Sequence, residues 1–184
     1  LKVLRRATLA AIGIATLACP VIGANAQRLT VQSSAPASPG ALVDATNPQL
    51  IAEIMKSEGY EAKLSQQDSG ASEIQSNVAG THFWIYFQAC DPDFTNCEVI
   101  TFAAGFDFDT PQVSGVLGNW NQTRYSKAYL DSQGDPFVEF SVNMAQGVSR
   151  ENFVNTLDWF ASETVAFMQQ VGWHEDTADP ARPI

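Results

Sequence analysis

The sequence predicts an α+β domain, an antiparallel β-sheet with helices in the order α-β-β-β-β-α-β-β-α. Three observations carry this. Apolar residues recur at helical spacing in three separate stretches, the segments between them alternate with period two, and glycine-rich or Asx-rich turns separate the alternating segments.

The first helix has Asn47 as its cap, Pro48 in its first turn and an apolar stripe of Leu50, Ile51, Ile54 and Met55, and Gly59 is placed to end it. Tyr60 to Gln66 and Ser72 to Val78 flank the turn Asp68-Ser69-Gly70 and read as a polar hairpin near the sheet edge. Thr81 to Ala89 is dense in aromatic and β-branched residues and reads as a central strand. Phe83, Ile85, Phe87 and Ala89 share one face of it; His82, Trp84, Tyr86 and Gln88 share the other. Glu98 to Phe106 follows, with Ile100, Phe102, Ala104 and Phe106 on its apolar side. Val113, Val116, Leu117 and Trp120 mark the second helix, with Thr110 as cap and Pro111 at its first position. Helical spacing gives way to alternation within Gly118 to Asp131: Ala128 and Leu130 face one side, and Tyr125, Lys127, Tyr129 and Asp131 the other. After the turn Asp131-Ser132-Gln133-Gly134-Asp135, the strand Phe137 to Met144 points Val138, Phe140, Val142 and Met144 inward and Glu139, Ser141 and Asn143 outward. The last helix starts at Ser149, carries Phe153, Leu157, Phe160, Ala161, Met168 and Val171 on one stripe, and stops at Gly172.

The string Asn119-Trp120-Asn121 followed by Lys127-Ala128-Tyr129-Leu130-Asp131 resembles the YbjN family, bacterial proteins described as sensory transduction regulators. The resemblance extends in element order over Leu42 to Trp173. It implies a fold like that of the type III secretion chaperones and a regulatory, protein-binding role, and it supplies no catalytic residues. Fold likeness of this kind does not by itself establish function.

Four segments are expected: a signal peptide over 1–26, a linker over 27–41, the domain over 42–173 and a tail over 174–184. Lys2, Arg5 and Arg6 precede an apolar run from Ala7 to Ile22, and Ala24-Asn25-Ala26 supplies a small-x-small cleavage site. Two competing readings, a lipid-bearing Cys19 and a membrane anchor, fit less well. Thr16-Leu17-Ala18 lacks the leucine usual three residues before a lipid-bearing cysteine, and the run is shorter than the about 20 residues that a span needs. Residues 28–41 are rich in Ser, Ala, Pro and Gln and offer too little apolar surface to order themselves. The full chain of 184 residues has a net charge of −10, and loss of the leader takes it to −13. So acidic a chain repels phosphate backbones and anionic lipid, so neither nucleic acid nor, for the mature form, membrane is an expected partner.

With Cys19 removed alongside the leader, Cys90 and Cys97 remain as an even pair around Asp-Pro-Asp-Phe-Thr-Asn, and a disulfide is expected between them. Facing strands of one hairpin bring Cα atoms into the roughly 4.4–6.8 Å that a bridge needs, and closing the loop should stabilise the domain by about 2–3 kcal/mol. The spacing matches neither a C-x-x-C redox pair nor a zinc ligand set, and Asp91, Asp93 and Asn96 lack the glycine and distal glutamate of a calcium loop.

Little else carries chemistry. The two histidines, His82 and His174, stand alone; Asp107 and Asp109 flank a helix start, where carboxylates complement the dipole; and Asn121-Gln122-Thr123 matches a glycosylation sequon by composition only. No catalytic residue, metal site or cofactor is expected. The candidate binding patch is Trp84, Tyr86, Tyr125 and Tyr129, which the alternation puts on the sheet face away from the core, unless the first helix or the linker covers that face. Two functions remain: a non-enzymatic exported regulator that contacts another polypeptide or itself, and a small-ligand or enzymatic module with an aromatic-lined pocket.

Export predicts a mature chain beginning at Gln27. N-terminal mass analysis of the protein from its native cell tests this, and an intact Leu1 or a lipid on Cys19 contradicts it.

Overall fold

The computed structural model describes residues 40–108 and 113–173. Three helices and six strands follow one another as α1 (Pro48–Ser57), β1 (Lys63–Gln66), β2 (Ser72–Val78), β3 (Thr81–Gln88), β4 (Val99–Gly105), α2 (Ser114–Thr123), β5 (Lys127–Leu130), β6 (Pro136–Asn143) and α3 (Arg150–Val171). The strands form one antiparallel sheet in the order β1-β2-β3-β4-β6-β5. The domain is therefore α+β with the predicted element order. The predicted cap of α2 at Thr110 and Pro111 lies outside the described residues.

Local chemistry sets the helix ends. Asn47 Oδ1 accepts from the Leu50 N–H at 3.1 Å, and Ser149 Oγ accepts from the Asn152 N–H at 3.1 Å, so each helix begins with one of its orphan donors satisfied. Gly172 ends α3 with φ +71°, a left-handed conformation that a side chain would resist.

All three helices bury their apolar residues in one core with a single face of the sheet. That face supplies Ile74, Phe83, Ile85, Ile100, Phe102, Phe106, Ala128 and Val138. Phe160 of α3 meets Phe83 edge-on at 5.5 Å and stacks on Phe102 at 5.2 Å; about two turns further on, Phe167 meets Phe106 at 5.5 Å and Trp120 of α2 at 4.9 Å. Aromatic contacts in these geometries add to the burial of large apolar area.

The stretch between α2 and β5 is tied down by polar groups. The Trp120 indole N–H donates to Ser126 Oγ at 3.0 Å, and the Ser126 hydroxyl donates to Glu163 of α3 at 2.7 Å. Arg124 completes the ring, donating to the other Glu163 oxygen at 3.1 Å while its guanidinium lies 5.0 Å above the Trp120 ring. Asn121 works on the backbone of β5: its amide donates to the Ala128 carbonyl at 2.9 Å, and its oxygen accepts from the Ala128 N–H at 2.7 Å. The side chain thus pairs like one residue of a neighbouring strand and closes this edge of the sheet. The sequon asparagine is engaged in folding. Asp131 Oδ1 accepts from Gln133 N–H at 2.8 Å and Asp135 N–H at 2.9 Å, shaping the β5–β6 turn.

Ser126→Ala removes one small hydroxyl, yet it leaves both the indole N–H and the buried Glu163 short of a partner. We expect a loss of about 2–4 kcal/mol in urea unfolding, and a change below about 0.5 kcal/mol would show that the network contributes little.

Candidate protein-binding face

Because side chains alternate across a strand, the sheet face opposite the core carries the other half of each strand. From β3 it carries His82, Trp84, Tyr86 and Gln88, from β4 Val99, Thr101, Ala103 and Gly105, from β6 Phe137, Glu139 and Ser141, and from β5 Lys127 and Tyr129. Trp84, Tyr86, Tyr129 and Phe137 are half-buried, and none of them belongs to the core shared with the helices.

The register arranges these side chains as a trough. Trp84 stands opposite Ala103, Ala103 opposite Glu139, and Glu139 opposite Lys127; one step along, Tyr86 stands opposite Thr101, and Thr101 opposite Ser141. The floor is β4, whose Thr101 and Ala103 are only 2% exposed beneath their larger neighbours. The walls are the rings of β3 on one side and those of β6 and β5 on the other. Gly105 shows how close the fit is: a Cβ there would come within 2.5 Å of the Phe137 ring. Phe137 in turn stacks on Tyr129, with centroids 5.6 Å apart and planes 17° from parallel. The Tyr129 hydroxyl donates to Glu139, and Lys127 Nζ lies 4.9 Å above the Tyr129 ring.

Of the four residues of the predicted patch, Trp84, Tyr86 and Tyr129 lie on this face. Tyr125 does not. It is 79% exposed and meets Trp159 of α3 at 5.3 Å, and Trp159 also meets Phe140 at 5.3 Å, which puts Tyr125 on the helix side. The pleat starts only at Lys127, and the bend at Tyr125 and Ser126 exists to send Ser126 inward to Glu163. Glu139 lies on this face as its outward position in the alternation predicts, and Phe137 joins it, although neither belongs to the predicted patch. Phe137 follows a proline at the strand start, and its place opposite Gly105 and Tyr129 depends on the strand order.

Cys90 and Cys97 are joined by a disulfide of 2.07 Å in the loop between β3 and β4. Their Cα atoms are 3.8 Å apart, closer than the expected range. Both residues lie beyond the strand ends, in a loop whose Ala89, Phe94 and Asn96 take positive φ and double the chain back. The loop's polar groups serve the loop: Asn96 donates to Asp91 at 2.8 Å, and the Thr95 hydroxyl donates to Asp93 at 2.7 Å, which holds the Asp93 carboxyl below its ordinary range.

Among the described residues, surface hollows of about 240–520 Å³ lie elsewhere, lined by none of Trp84, Tyr86, Tyr125 and Tyr129. One of about 520 Å³ is bounded by Tyr60, Val78, Asp158, Ala161, Ser162 and Val165. Among the described residues no group of three or more His, Cys, Asp or Glu side chains is placed to hold a metal ion, and no helix is long and apolar enough to cross a membrane. His82 is exposed, with its ring 6.3 Å from Trp84; His174 and Asp109 lie outside the described residues.

The molecule is thus an α+β domain whose distinguishing surface is an aromatic sheet face. Residues 47–173 match the sequence model of the YbjN family, described as "putative bacterial sensory transduction regulator", and the chain belongs to that family. Among solved structures it is similar to YbjN from E. coli, described as "a putative transcription regulator", at 19% identity over 71% of this chain and 89% of that one, with a TM-score of 0.48. It is also similar to an uncharacterized protein from Methanothermobacter thermautotrophicus, at 13% identity over 70% of this chain and 99% of that one, with a TM-score of 0.46. No curated protein matches the sequence.

Three tyrosines hold their protons more tightly than a free phenol. Burial pushes Tyr60 up to about 12, helped by its hydrogen bond to Asp158 and by that carboxylate's charge. Burial also raises Tyr129, reinforced by Glu139, and raises Tyr86, reinforced by the charges of Glu73 and Glu139. Above pH 10 the unfolded chain loses these protons while the folded chain keeps them, so this contribution to stability is complete below the ordinary value of 10.0 and is lost as pH rises toward 12. Urea midpoints at about pH 9 and about pH 11 should show that decline, and Tyr60→Phe should make it shallower. An unchanged slope in Tyr60→Phe would contradict the assignment.

Proposed function

We propose that this chain is an exported, non-enzymatic regulatory module that acts by binding another polypeptide across its aromatic sheet face. One observation carries the reading: Trp84, Tyr86, Tyr129 and Phe137 are arrayed side by side on a sheet whose opposite face holds the whole core. Rings with polar tips offer large contact area at low entropy cost and are enriched where surfaces meet partners. Membership of a family described as sensory transduction regulators supports a regulatory role. Export is supported by the leader-like start of the sequence and by a cysteine pair suited to an oxidising compartment.

The test compares the tagged chain with its Trp84→Ala/Tyr129→Ala variant, both recovered from the periplasmic fraction of the producing bacterium. The variant should lose a co-purifying polypeptide, or self-association, with its melting temperature kept within a few degrees. Retained capture would refute the reading, and an unfolded variant would mean that the two rings belong to the core.

A further inference from the structure

The chemistry of the trough also specifies what kind of polypeptide it takes, provided the face is the interface proposed above. Each wall of the trough combines a ring with a carboxylate. Glu73 of β2 stands opposite Tyr86, and Glu139 of β6 stands across Ala103 from Trp84. Glu73 accepts from the Ser65 hydroxyl at 3.2 Å and Glu139 accepts from the Tyr129 hydroxyl, which leaves each carboxylate with lone pairs to spare. Neither is ion-paired: the two salt bridges among the described residues join Arg124 to Glu163 and Arg150 to Glu58.

The protein already shows how such a wall treats a cation. Lys127 lies over the Tyr129 ring, on the strand position opposite Glu139, so the ring face holds one ammonium beside a carboxylate-bearing strand. Trp84 and Tyr86 likewise stand beside carboxylate-bearing strands, and among the described residues no cation lies over either ring. The nearest cation in their rows is Lys63, which stands opposite Gln75, two strands out from Trp84. Tyr86 registers the resulting field, since the charges of Glu73 and Glu139 both add to the effect of burial in raising it. At longer range, a net charge of −10, or −13 without the leader, draws a basic partner in.

We propose that the face docks a cationic polypeptide segment, whose arginine or lysine side chains lie against Trp84 and Tyr86 with Glu73 and Glu139 as counter-charges. Cation–π contact and carboxylate pairing both favour the planar guanidinium, so arginine is the better fit.

The experiment uses the oxidised full chain and a labelled arginine-rich octapeptide, with the same peptide carrying citrulline in place of arginine as the neutral control. By fluorescence anisotropy near physiological salt, the arginine peptide should bind at least about ten-fold more tightly than the citrulline peptide. Glu73→Gln/Glu139→Gln should abolish about ten-fold of that affinity, whereas Glu53→Gln/Glu151→Gln, which removes two exposed helix carboxylates, should leave it unchanged. Equal losses in the two double variants would mean unspecific attraction to an acidic surface and would overturn the proposal, as would equal binding of the two peptides. If Trp84→Ala/Tyr129→Ala loses its native partner while the arginine peptide fails to bind, the face is an interface for a partner that is not cationic, and this inference alone is wrong. If that variant keeps its native partner, the reading of the face itself fails.

Discussion

The buried carboxylate of Glu163 is the constraint on which the second half of the fold depends. A charge taken out of water is costly unless it is paired and hydrogen-bonded, and Glu163 meets both conditions through Arg124 and Ser126. Ser126 holds the Trp120 indole N–H as well, so α2, the entry to β5 and the middle of α3 share one set of hydrogen bonds. This fixes where α2 ends and where β5 begins. With that entry fixed, Asn121 takes both backbone groups of Ala128, β5 keeps its place against β6, and Tyr129 reaches the open face.

The residues that carry the family resemblance therefore have structural work. Trp120 fills the core between α2 and α3, Asn121 closes a sheet edge, Ala128 is buried at that edge, and Asp131 shapes a turn. Tyr129 and Lys127 are the members of the string that reach the open face. A motif dense enough to mark a family can thus be a folding device, and the candidate face is assembled largely from residues outside it. Trp84 and Tyr86 come from β3, well before the string, and Phe137 and Glu139 from β6, just beyond the turn that follows it.

Much of the fold was legible because local chemistry and burial agree. The alternation of Phe83, Ile85 and Phe87 with Trp84 and Tyr86, the caps at Asn47 and Ser149, and the stop at Gly172 each follow from residues a few positions apart. Strand order was not legible, since the pleat says which way a side chain points but not which strand lies beside it. The placement of β6 between β4 and β5 is what brings Phe137 over Gly105. Tyr125 was misplaced because alternation was carried two residues upstream of where the strand starts. Glu163 was missed for a similar reason: its partners are 37 and 39 residues away in sequence. Its position did hold a signal, since it lies three residues after Phe160 and four before Phe167, a charge on an apolar stripe.

The candidate face owes its shape to packing that is complete before any partner arrives. Gly105 leaves space that the Phe137 ring fills, Tyr129 lies flat against that ring, and the Tyr129 hydroxyl is held by Glu139. Across the trough, Thr101 sits between Gln88 at 2.8 Å and Ser141 at 2.9 Å, so the floor is held by its own hydrogen bonds. Binding surfaces normally lose affinity to the ordering of their side chains, at about 0.5–1.5 kcal/mol for each one immobilised. Here the rings of β5 and β6 are ordered by folding itself, on a sheet anchored through Phe83, Phe102 and Phe160. The same interactions that make the domain stable therefore hold the rings of this face in place, so a ligand meeting them would have little side-chain ordering left to offset.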